Sequence, residues 1–131
     1  MNKKILIIED DANILYALQA KFRVEGFDVE INSGDVSLEE LMNDIRNYRP
    51  DYMVLDLILP KLDGFKVACK IQEDDETKGI KIFVFTNLTD NDSRQAGSKA
   101  GIDYYLLKTE LGTDELVAKV KKIIQNKQKM Q

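Results

Sequence analysis

Five short apolar runs alternate with five stretches of helical periodicity along the chain, and this alternation limits the fold more than any other feature. The runs "KKILIIE", "FDVEI", "DYMVLDLIL", "IKIFVFT" and "IDYYLLK" are short and rich in β-branched and aromatic residues, as strands are. Asp11 can cap the first helix, whose stripe is Ile14, Leu15, Leu18 and Phe22 and whose stop is near Gly26. Ser37 and Glu40 stand at capping-box spacing before Leu38, Leu41, Met42 and Ile45, and Pro50 ends that helix. A third helix starts near Gly64 with Phe65, Ala68 and Ile71 inward. The stretch "DNDSRQAGSKAG" has small residues, no large apolar anchor and Gly97 inside it, so it should form the least stable helix. The last helix starts at Thr113 or Asp114, with Leu116, Val117, Val120 and Ile124 inward. Repeated strand–helix units imply an α/β fold: a doubly wound parallel sheet with helices on both faces and right-handed crossovers. A length of 131 residues suits one domain, taken as residues 1–131.

Composition narrows the chemistry. There is no histidine, which excludes catalysis and metal ligation by that residue, and Cys69 is the only cysteine, which excludes a disulfide framework. A reducing cytoplasm fits. The start "MNKKILIIEDD" is basic and then apolar, but acids follow after five apolar residues, so export is not expected. No run approaches the roughly 18 apolar residues of a membrane span. A net charge of −4 argues against direct contact with nucleic acid, and the basic "KVKKIIQNKQKMQ" reads as a solvated helix face.

In doubly wound sheets, sites lie outside the carboxyl ends of the strands. Those ends carry Glu9, Asp10 and Asp11 after the first strand, Asp56 in the third, Thr86 after the fourth and Lys108 after the fifth. Glu9, Asp10 and Asp56 should converge. Hard oxygen donors without soft ligands favour Mg²⁺ or Mn²⁺ over zinc, although Asp10 or Asp11 can equally serve as a helix cap. Asp56 interrupts an apolar run. It is either a turn aspartate bonded to nearby amides or a carboxylate nucleophile that accepts a phosphoryl group. In the second case Lys108 pairs with phosphoryl oxygens and Thr86 donates a hydrogen bond to another. A flavin phosphate site is not expected, because "EDD" repels phosphate and no glycine-rich phosphate loop exists.

The motifs "KKILIIEDDANIL", "DYMVLDLILPKLDGFKV", "KIFVFTN" and "GIDYYLLK", in this order, resemble the receiver domains of bacterial two-component response regulators over nearly the whole chain. The resemblance implies a flavodoxin-like sheet of order 2-1-3-4-5 with five flanking helices. It implies Asp56 phosphorylated by a sensor histidine kinase or histidine phosphotransfer protein. It makes Asp10 a direct Mg²⁺ ligand, Glu9 a ligand through water, and the Ile58 backbone carbonyl a further ligand. Thr86 matches the switch hydroxyl, Lys108 the phosphate-pairing lysine and Tyr105 the aromatic that changes rotamer, while Pro60 and Gly64 match the loop after the acceptor. Tyr104 and Tyr105 adjoin on a strand and face opposite sides, so one of the two should be a core-packing ring, and the family spacing assigns the mobile one to Tyr105.

Two departures stand out. Thr109 follows Lys108 where the family has proline, so a trans bond is expected there. Asn87 follows Thr86 where a small residue is usual, and with apolar Ile58 it should slow loss of the phosphoryl group. No linker or effector domain is expected after the last helix. Output would come by docking of a downstream target protein on the fourth helix, fifth strand and last helix, with homodimerisation on activation left open. The rival readings are a degenerate receiver that binds partners without phosphorylation and a Mg²⁺-dependent aspartyl phosphatase. The phosphatase needs a second acid two residues after its nucleophile, where this chain has Ile58.

Overall fold

The computed structural model describes residues 2–129. Along the chain run β1 (Lys4–Ile8), α1 (Ala12–Val24), β2 (Asp28–Asn32), α2 (Leu38–Tyr48), β3 (Tyr52–Leu55), α3 (Gly64–Glu73), β4 (Lys81–Thr86), α4 (Asn91–Lys99), β5 (Tyr104–Leu107) and α5 (Thr113–Lys129). The strands form one sheet of order β2-β1-β3-β4-β5, and every pairing is parallel. The alternation and the order implied by the resemblance are both realised. No cis peptide bond occurs among the described residues, in keeping with Thr109 after Lys108.

The strands are apolar at consecutive positions because both faces of the sheet are covered. Period-two geometry sends Ile5 and Ile7 toward α1 and α5, and Leu6 and Ile8 toward α2 and α3. In β4 the same alternation sends Phe83 and Phe85 to the first layer and Ile82 and Val84 to the second. Helix α1 buries Leu15, Leu18 and Phe22, with Ile14 only half-buried. Helix α2 buries Leu41, Met42 and Ile45, and α3 buries Val67 as well as Ala68 and Ile71. Leu38 and Phe65, expected inward, are half-buried at the margins of the second layer.

Caps set the helix starts. Asp11 accepts from the Asn13 and Ile14 amides, Ser37 from Glu40, Asp63 from Phe65 and Asp90 from Ser93. Asp11, then, is the acid that caps α1, which leaves Asp10 for another purpose. Helix α4 differs from the others, because its one buried residue is Gly97. A fully buried leucine, isoleucine or phenylalanine contributes roughly 1.5–3 kcal/mol. Within its own span α4 has no such side chain, so the weak anchoring expected from its sequence is present in the fold.

Candidate functional site

The carboxyl ends of β1, β3, β4 and β5 lie side by side in the sheet, so the residues following them share one rim. The Glu9 amide donates to Asn32 O and the Asp56 amide to Ile8 O, which carries the ladder past the strand ends and places both residues. Asp56 is 5% exposed and Glu9 2%. Carboxylates this buried require partners. The Ile58 amide donates to Asp56 Oδ1 at 3.1 Å, and Lys108 Nζ lies 2.8 Å from Asp56 Oδ2 and 2.5 Å from Glu9 Oε1. Glu9 Oε2 accepts from the Asp11 amide at 3.2 Å. The turn reading of Asp56 therefore holds alongside any chemical role, because the same amide bond orients the carboxylate.

Gly64 makes this arrangement possible. A Cβ there would stand 2.5 Å from Leu57 Cα and 2.9 Å from Asp56 O. The start of α3 therefore presses directly on the backbone that carries Asp56, a closeness only glycine permits.

Charge in the pocket is not balanced by protein alone. Oxygens of Glu9, Asp10 and Asp56 all lie within 4.8 Å of one another, and Lys108 is the one cation bonded to them among the described residues. Three carboxylates against one ammonium leave a deficit of two charges. The deficit shows in the titration of Glu9, which is raised to about 7, chiefly by burial and further by repulsion from Asp56, with the Lys108 hydrogen bond opposing. Burial works to lower the Lys108 pKa, but the hydrogen bonds and charges of Asp56 and Glu9 overcome it, so the ammonium is held above its ordinary value. A divalent cation matches both the missing charge and the all-oxygen donor set, and these residues fit Mg²⁺. Asp10 is exposed and makes no hydrogen bond or ion pair among the described residues, so its carboxylate is open at the rim.

Thr86 ends β4 fully buried, its Oγ1 accepting from the Leu88 amide at 3.4 Å and its carbonyl from the Lys108 amide at 2.8 Å. Tyr105 makes no hydrogen bond to the carboxylates; its hydroxyl donates to Leu88 O at 2.9 Å. Tyr104 points the opposite way and stacks on Phe83 at 4.9 Å, so of the adjoining tyrosines it is the packing ring. The structure thus gathers Glu9, Asp10, Asp56 and Lys108, with Thr86 adjoining through backbone. It sets Ile58, 53% exposed, beside Asp56. Two features escaped the sequence. One is the Glu9–Lys108 ion pair, which no spacing encodes. The other is Leu88, whose amide and carbonyl join Thr86 to Tyr105 and whose side chain gives no sign of it.

The sequence pattern of the family described as the response regulator receiver domain matches residues 5–121. The DNA-binding response regulator MtrA of Mycobacterium tuberculosis is 35% identical over 121 residues, which are 92% of this chain and 50% of that protein. The chain spans about half the length of the relatives it matches in sequence. A receiver domain protein (CheY-like) from Methanospirillum hungatei superposes with a TM-score of 0.84 at 25% identity, covering all of both chains. The response regulator DrrB, an OmpR/PhoB homologue of Thermotoga maritima, gives 0.82 at 28% identity, covering 97% of this chain and 54% of that one. With the fold, the strand-end carboxylates and the pattern match in agreement, this chain belongs to the response regulator receiver domain family of two-component signalling systems.

Proposed function

We propose that the domain is a phospho-accepting switch in which Asp56 takes a phosphoryl group from a phosphohistidine on a sensor kinase or phosphotransfer protein. The observation that carries this reading is the setting of Asp56: a buried carboxylate whose two oxygens are each fixed by one hydrogen bond, beside two further acids. Each Asp56 oxygen keeps a lone-pair direction free of those bonds. One oxygen forms the P–O bond, the P–N bond of the donor breaks, and the departing imidazole keeps the electron pair and takes up a proton. Lys108 stands where it can follow the new negative charge from the carboxylate to the phosphoryl oxygens, and Thr86 can donate its hydroxyl to another of them. Glu9, Asp10 and Asp56, with the Ile58 carbonyl, would hold Mg²⁺, which when bound supplies the charge neutralisation that phosphoryl transfer needs.

Output follows from Tyr105. A phosphoryl group that draws Thr86 toward it pulls on Leu88, and Leu88 O is the acceptor of the Tyr105 hydroxyl. The surface so altered is α4, β5 and α5, which we assign to a downstream target protein. Shifts of this kind reach only as far as the differential contacts of the two states allow. DNA binding is named for the MtrA relatives as whole proteins; the charge of −4 on this chain favours a protein partner. The domain catalyses its own phosphorylation and slow dephosphorylation and turns over no external substrate.

Incubation with acetyl phosphate and Mg²⁺ followed by intact-mass measurement tests the reading. A gain of one phosphoryl group that disappears in Asp56→Asn is expected. No gain in the wild-type chain would instead favour a receiver that binds partners unphosphorylated, and turnover of external phosphoesters would favour a hydrolase.

A further inference from the structure

We infer that Gly97 is the positioning residue for Tyr105, and that this single ring seats α4 on the domain. Every other helix rests on buried large side chains. Helix α4 buries only Gly97, and at that residue it meets the Tyr105 ring and the end of the Ile102 side chain. A Cβ at position 97 would stand 3.2 Å from Tyr105 Cδ2, 3.4 Å from Tyr105 Cε2 and 3.2 Å from Ile102 Cδ1. Such contacts are tighter than ordinary van der Waals packing, so the ring lies against the bare backbone of the helix. The same ring reaches two other parts of the segment. Its hydroxyl holds Leu88 O in the loop before α4, and the Arg94 guanidinium lies 5.6 Å from its centroid. One side chain on β5 therefore meets the approach to α4, its middle and its last turn.

The consequence is a mechanical coupling set by one hydrogen atom. With glycine at 97 the ring can sit deep enough for its hydroxyl to reach Leu88 O. Any side chain at 97 pushes the ring outward, loosens that hydrogen bond and frees the helix. Movement of Tyr105 for any other reason does the same to α4, because within its own span α4 buries no large side chain. The inference rests on the proposed switch only for what moves Tyr105; the contact itself does not depend on phosphorylation.

The test is a double-mutant cycle in the full chain with Gly97→Ala, Tyr105→Ala and both together. Gly97→Ala alone should lower the thermal midpoint, shift the Tyr105 ring resonances and make α4 amides exchange about tenfold faster. In the Tyr105→Ala background the same substitution should raise the midpoint, since alanine is the better helix former and only the flexible end of Ile102 still has to give. Tyr105→Leu supplies the second background if Tyr105→Ala does not fold. Treated with acetyl phosphate and Mg²⁺, Gly97→Ala should gain the same mass as wild type but show a smaller phosphorylation-induced change in α4 exchange. A midpoint raised equally in both backgrounds, or unmoved Tyr105 resonances, would overturn the inference. Absence of any mass gain in the wild-type chain would overturn the phosphoacceptor reading, while the coupling would stand on the midpoint cycle.

Discussion

Asp56 sits at the end of an apolar strand because Lys108 and the Ile58 amide replace the water it has lost. The apolar run and its single acid were plain in the sequence, and so was the lysine after β5. Which carboxylate shares that lysine was not, since Glu9 and Lys108 are 99 residues apart and meet only through the sheet order. If Asp56 takes a phosphoryl group as proposed, the residues around it should set how long that group lasts. Asn87 is exposed immediately after Thr86, and Ile58 stands beside Asp56. Both are expected to shield such a group from water. We expect Asn87→Ala to shorten the half-life of the phosphorylated protein by about threefold to tenfold, a barrier change of roughly 1 kcal/mol. A radiolabel time course reads this directly, and decay identical to wild type would remove Asn87 from the account.

Among the elements, the helices differ in what fastens them, and the difference follows from their inward residues. Helices α1, α2, α3 and α5 were legible from their apolar stripes, and the caps Asp11 and Ser37 from their spacing. The weakness of α4 was legible too, as a lack of anchors, but its dependence on Tyr105 was not, because that contact crosses from one element to another. Helix α3 shows the opposite extreme. Its first residue, Gly64, touches the backbone of Leu57 and Asp56 so closely that even a methyl group must displace something. We expect Gly64→Ala to cost about 1–3 kcal/mol of stability through overpacking, measured as a lower denaturant midpoint. A midpoint equal to wild type would mean that the α3 entry can move away from Asp56 without loss.

Taken as a whole, the molecule concentrates unneutralised negative charge at one rim of its sheet, and its stability should report that. The Glu9 pKa is raised from 4.5 to about 7, so between those values the folded chain binds more protons than the unfolded chain. Stability must then fall as pH rises from about 4.5 to about 7, by on the order of 3 kcal/mol if the whole shift is expressed. Glu9→Gln should flatten this slope, and Mg²⁺ should restore stability most at neutral pH and above. Denaturant melts across the pH range, with and without the ion, check this; a flat wild-type profile would count against the charge deficit. The fold class, the single layer of parallel strands, the caps Asp11 and Ser37 and the acids destined for the rim were determined by the sequence alone, because they depend on local periodicity and on residue type at strand ends. The pairing of Glu9 with Lys108, the Leu88 link between Thr86 and Tyr105, and the contact of α4 with the Tyr105 ring were decided only by the tertiary structure. They depend on contacts that cross from one element to another, and such contacts exist only once the sheet order has brought separate strand ends and helices together.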